Sequence, residues 1–179
     1  MMLPTVRLLL LSLVFISRTH AVDIPADPNF TVDNLLGEWT GVAAASNCPL
    51  FMKMKEVMKT EPVTKYWMDG GNMMCSSKFR TSEGCQERKV TLKEAGKGQY
   101  TYTELGQSLM TIIKLTPSLC LEHTTTTMSN GDVYFDLKLY KKGAESPKEL
   151  GQFTKYALSL GLKKENVVFF KKGEKCTFN

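Results

Sequence analysis

Histidine is nearly missing from this chain. Two occur in 179 residues, His20 and His123. A His-rich metal centre is therefore excluded, and a Ser-His-Asp triad would have to rest on a single imidazole. No Cys-x-x-Cys or His-Glu-x-x-His spacing is present, so the common zinc and redox motifs are absent too. No basic stripe with interleaved aromatics accompanies the net charge of +5. The lysines are scattered, as in the solvated stretches KKGAESPKE and LKKEN, and nucleic acid is not an expected partner. There are no internal repeats and no low-complexity segments.

Long apolar runs are also lacking. The longest, Leu8 to Ile16, follows Arg7 and precedes Thr19 and Ala21. At roughly 10 residues it is half of what a bilayer span needs. It reads as a secretory signal peptide over residues 1–21, cleaved after Ala21. The expected mature chain is one domain, 22–179, secreted and extracellular, with no membrane span. Secretion permits disulfides. The five cysteines are Cys48, Cys75, Cys85, Cys120 and Cys176; the odd count leaves at least one without a partner in the chain. Asn29-Phe30-Thr31 is an N-x-T sequon, and a glycan is expected on Asn29.

What is abundant is strand signal. Stretches rich in β-branched and aromatic residues recur: GEWTGVAAAS, VTKYWM, MMCSSKF, CQERKVTLKEA, QYTYTEL, SLMTIIKL, LCLEHTTTT and VYFDLKLY. Most end in Gly, Asn or Asp, which supply the positive φ of tight hairpins. In the last, Val133, Phe135, Leu137 and Leu139 share one face, and Asp136 and Lys138 share the other. An eight-stranded meander left flat has two bare edges, and closure removes them. The expected fold is all-β, an eight-stranded antiparallel up-and-down β-barrel whose interior holds one small ligand. Ser146-Pro147-Lys148-Glu149 is a capping box with Pro at the first helical position. Leu150, Phe153, Ala157 and Leu160 follow at helical spacing, and Gly161 stops the pattern. One C-terminal α-helix is thus expected outside the barrel, followed by a short strand at NVVFF. Cys75 and Cys120 fall on strands on opposite sides of such a barrel, too far apart to pair.

With that element order, Gly37-Glu38-Trp39 opening the first strand resembles the lipocalin family over nearly all of residues 22–179. The resemblance implies that Trp39 packs across the closed end, with Gly37 allowing close approach. It implies a Cys85–Cys176 disulfide tying the tail to the barrel. Two family motifs differ. The Thr-Asp-Tyr turn reads Thr116-Pro117-Ser118, and Lys141-Lys142 stands where an Arg is usual; Lys covers an indole by cation–π contact but lacks the planar fork. PNFTVDNLLGEW with NCPLFMKMKEVM looks most like alpha-1-microglobulin, and next like lipocalin-type prostaglandin D synthase.

Each likeness implies a chemistry. The synthase's catalytic thiol would fall near Glu61, and no cysteine lies from Pro49 to Met74, so the chain is expected not to be an enzyme. Cys48-Pro49 matches the reactive thiol of the microglobulin, with Lys53 and Lys55 nearby. Of that family's three assisting lysines only Lys138 is matched; one position is Glu104 and another falls in the HTTTT run. His123 reads as an ordinary strand residue. Met52, Met54 and Met58 lie on the loop expected over the mouth, where adaptable thioethers suit a lid.

The resulting expectation is a monomeric carrier or sequestering protein for a small hydrophobic molecule of retinoid, fatty acid, prostanoid or tetrapyrrole type. No cofactor is obligatory, and heme is one candidate ligand. The candidate ligand-contacting residues are Trp39, Cys48, Met58, Met68, Met110 and Lys138; no catalytic or metal-ligating residue is assigned. The rival readings are a Cys48-based heme and radical scavenger, a prostaglandin D synthase-like isomerase, and a partner-binding protein.

Overall fold

The computed structural model describes residues 24–58, 60–144 and 146–178. The proposed signal peptide lies outside the described residues. A short helix, α1 (Val32–Leu35), leads into β1 (Gly37–Ser46), α2 (Pro49–Val57), β2 (Val63–Asp69), β3 (Asn72–Thr81) and β4 (Gly84–Gly96). Then come β5 (Gln99–Thr103), β6 (Gln107–Thr116), β7 (Leu119–Thr127), β8 (Val133–Lys141), α3 (Pro147–Ser159) and β9 (Val167–Phe169).

Every strand from β2 to β7 pairs antiparallel with the next, and β1 closes the ring by pairing with both β8 and β2. The β2–β3 hairpin shows how the turns are set. Asp69 pairs with Asn72, and Gly70 and Gly71 between them both have positive φ, +53° and +84°. That is the primed two-residue turn whose twist matches the strands. Closure is not uniform along β1. Gly37 to Thr40 pair with β2, whereas Ala43 to Ala45 pair with β9 on the same edge. The late strand covers backbone that β2 leaves bare.

One connection departs from the hairpin scheme. β1 and β2 are joined through α2, with Cys48 at its N-cap and Pro49 in its first turn. The Cys-Pro pair ends the strand by starting a helix, because Pro has a φ suited to the first turn and no N–H to leave unpaired. α1 likewise places a helical turn in the arm that precedes β1.

Two cores result. The inner one lies towards the closed end and includes Leu35, Trp39, Tyr66, Ile112 and Tyr140. The outer one lies between barrel and α3 and includes Val42, Ala45, Leu137, Leu139, Phe153 and Ala157. The alanines of β1 have no bulk to hold α3 away. The capping box forms as expected: Glu149 N–H donates to Ser146 Oγ at 3.2 Å, and Ser146 N–H donates to Glu149 Oε2 at 2.8 Å. Gly161 ends the helix region with φ +86°.

The apolar face of β8 belongs to the outer core. Leu137 and Leu139 are buried there, while Tyr134, Asp136, Lys138 and Tyr140 face the barrel interior. The charged side of this strand is the inside.

Candidate functional site: the barrel cavity

The closed end is sealed by backbone and indole. Trp39 is 1% exposed and its Nε1–H donates to Leu35 O at 2.8 Å. Lys142 Nζ sits 4.3 Å from the indole centroid and donates to Leu36 O at 3.2 Å. Lys142 thus covers the indole face and caps the end of the preceding helix segment. Gly37 is required by its φ of +99°, a region other residues avoid, rather than by crowding: a Cβ at this position would meet nothing nearer than Lys142 Nζ at 3.7 Å. Asp27 pins the preceding arm, accepting from Leu115 N–H at 2.7 Å.

Above this floor lies a cavity of about 200 Å³. Its apolar lining is Leu50, Phe51, Met54 and Met58 from the α2 segment, with Phe79, Val90, Leu105 and Met110 from the strands and their turns. α2 buries none of its own residues; it spans the mouth instead of packing into a core. Leu50 and Leu105 line the cavity and are 43% and 48% exposed. Cys48 also lines the cavity, with its N–H bonded to Ser46 Oγ at 2.9 Å.

The rest of the lining is polar and internally paired, and part of it is near the mouth: Asp136 is level with Ser46, the last residue of β1. Arg88 Nε donates to Glu104 Oε1 at 2.9 Å, and Nη2 reaches the other oxygen. Lys138 Nζ pairs with Glu122 Oε1 at 2.8 Å. The second Glu122 oxygen accepts from Tyr66 Oη at 2.6 Å. Burial works against the Lys138 charge, but Glu122 beside it holds its pKa well above the usual lysine value. Burial pushes the Asp136 carboxyl above the usual range, although Lys138 and the hydroxyl of its cross-strand neighbour Ser46 favour the charged form. Cys75 faces the same space. Burial, reinforced by the Glu122 charge, pushes its thiol up to about 12, so it is protonated and weakly nucleophilic at neutral pH.

Of the six candidate contacts, the cavity gathers Cys48, Met58, Met110 and Lys138. Trp39 lies beneath the cavity as the plug. Met68, 47% exposed, sits beyond the last β2 residue paired with β1; neither is on the cavity wall. Cys85 and Cys176 are joined, and Cys48, Cys75 and Cys120 are free. Asn29 is exposed. His123 is on the opposite face of β7 from Glu122, with its ring 6.0 Å from that of Phe135. Sequence reasoning does not find the polar lining, Glu104 and Lys138 aside. Strand parity carries the signal: Asp136 and Tyr140 share the parity of Lys138, and Glu122 is its cross-strand neighbour.

Among the described residues no cluster of His, Cys, Asp or Glu is arranged to hold a metal ion. No helix among them is long and apolar enough to cross a membrane.

The sequence pattern of the lipocalin / cytosolic fatty-acid binding protein family matches residues 36–174. An olfactory protein of Lithobates pipiens is 28% identical, with 92% of this chain and 94% of that protein covered. A prostaglandin-H2 D-isomerase of Bos taurus is 30% identical, covering 94% and 92%. Among solved structures, the siderocalin Ex-FABP superposes with a TM-score of 0.68 at 22% identity, covering 82% of this chain and 95% of that one. Bovine odorant binding protein gives 0.62 at 22% identity, covering 82% and 99%.

Proposed function

The chain belongs to the lipocalin family, and on that premise we propose that it is a secreted monomer that binds and sequesters a small hydrophobic ligand in its barrel. The family's fold supports binding of such ligands; the carrier role and secretion are our reading. The observation that carries it is the cavity itself: a largely apolar lining under an uncommitted helix, above a sealed floor. Burying a ligand there removes its apolar surface from water and covers that of Leu50 and Leu105. The signal peptide at residues 1–21 and the exposed sequon at Asn29 fit a glycosylated secreted chain.

Conversion of the ligand is not part of this reading. The Bos taurus relative is named an isomerase, but the position matching that enzyme's thiol falls near Glu61. Glu61 is buried and paired with Lys175 at 3.1 Å. Cys75, the deeper thiol of the cavity, is held protonated. A second reading, the microglobulin-like scavenger of heme or radicals, is favoured by one observation: Cys48 lies on the cavity wall at the mouth. In that reading heme is the cargo and Cys48 its reactive contact.

Native mass spectrometry with an absorbance spectrum, on protein purified from its own fluid, tests both. A colourless small-molecule adduct, released on denaturation, is expected. A visible band lost in Cys48→Ala establishes the scavenger reading instead. Protein that is empty and takes up none of added octanol, octylamine and octanoate overturns the carrier reading.

A further inference from the structure

The charges lining the cavity do not cancel. Three carboxylates, Glu104, Glu122 and Asp136, face two cations, Arg88 and Lys138. Both cations are already committed. Arg88 engages both oxygens of Glu104, and Lys138 is bonded to Glu122 at 2.8 Å. Glu122 is further satisfied by Tyr66. Asp136 alone has no ion-pair partner among the described residues. Its β1 neighbour Ser46 supplies a hydroxyl, but no charge. The sign is opposite to that of the whole chain, which carries +5. Composition would select an acidic ligand; the cavity wall selects against one.

We infer that the preferred ligand is a cationic amphiphile, an apolar body bearing a protonated amine, with Asp136 as the counter-ion and the apolar lining of the cavity around the hydrocarbon. This rests on the carrier reading and specifies its ligand class. An ammonium group gives Asp136 the cation it lacks, in a site shielded from water where such a pair is stronger than at a surface. A carboxylate ligand meets Asp136 as a like charge and finds Arg88 and Lys138 already taken.

The groups facing Asp136 fix the pH behaviour. Lys138 on its own strand and Arg88 on β4 favour its charged form; Glu122 on β7 and burial oppose it, and burial is the largest influence. A bound ammonium adds a further cation, so binding expels a proton when Asp136 starts protonated. Amine affinity therefore rises with pH through the Asp136 titration, while the affinity of a neutral alcohol does not follow it.

The test is calorimetric titration of the full mature chain with three matched probes: octylamine, octanol and octanoate. At pH 7.5 octylamine is expected to bind at least about tenfold tighter than octanol, a difference of about 1.4 kcal/mol, and octanoate more weakly than octanol. In Asp136→Asn the octylamine-to-octanol ratio should fall towards one. On the unmodified protein, the ratio should shrink as pH is lowered, which keeps the inference testable if the variant does not fold. Octanoate binding as well as octylamine, or a ratio insensitive to both pH and Asp136, overturns the inference and leaves the carrier reading standing. Failure of all three probes to bind overturns the carrier reading and this one with it.

Discussion

The two ends of the barrel are built on opposite principles. At the closed end every large group has a partner: Trp39 is bonded to Leu35 and covered by Lys142, and Leu35 is fully buried. At the open end α2 buries nothing of its own, and Leu50 and Leu105 are exposed although they line the cavity. One end commits its apolar surface to folding, and the other keeps it free for a ligand. Stability and binding should therefore respond to different residues.

The largest expected effect is at the floor. Trp39→Ala should cost about 4 kcal/mol in urea unfolding, through lost burial and the cavity left behind. Met58→Ala at the mouth should stay within about 0.5 kcal/mol while weakening ligand binding. Equal destabilisation by the two would erase the distinction between the ends.

Next in size is the tail. Replacing Cys85 and Cys176 together by Ser frees a loop spanning 91 residues and should cost about 3 kcal/mol. Ligand affinity measured where the variant is fully folded should change little, because neither cysteine is on the cavity wall.

Lys142→Ala is a smaller probe of the same floor. Loss of the cation over the indole should cost about 0.5–1 kcal/mol, and Lys142→Arg should restore it, since Arg offers the same contact. A full-sized loss in Lys142→Arg would show that the backbone bond to Leu36, not the ring contact, matters.

The smallest effect is in pH dependence. Burial keeps the His123 pKa below its ordinary value, against an opposing pull from Glu122. As pH falls below about 6.5 the unfolded chain takes up a proton that the folded chain does not, so stability is lost. Asp136 acts with the reverse sign: its raised pKa costs stability as pH rises above the ordinary aspartate value. Measured in an Asp136→Asn background, unfolding midpoints should fall on acidification, and His123→Leu should flatten that slope.

Strand order was legible because each strand carries its own turn signals. Gly70-Gly71 and the Ser146 capping box determine their turns almost without tertiary help. The α2 segment was not legible. Its helix has no buried stripe, so its residues lack the period that a packed helix imprints, and the segment after Cys48-Pro49 reads as a loop. The interior of the barrel was half legible. Period two separates Asp136 and Lys138 from Leu137 and Leu139, but does not say which face is inside. Here α3 takes the apolar face as its own core and leaves the charged face to the cavity. The same covering explains why β8 looks inverted for a container.

The most direct test of the division between the ends is hydrogen–deuterium exchange with and without saturating octylamine. Added protection is predicted over Cys48–Met58 and around Leu105, with no change over Leu35–Trp39. Protection confined to the floor or to the outer face of α3, with the mouth unaltered, would contradict that division.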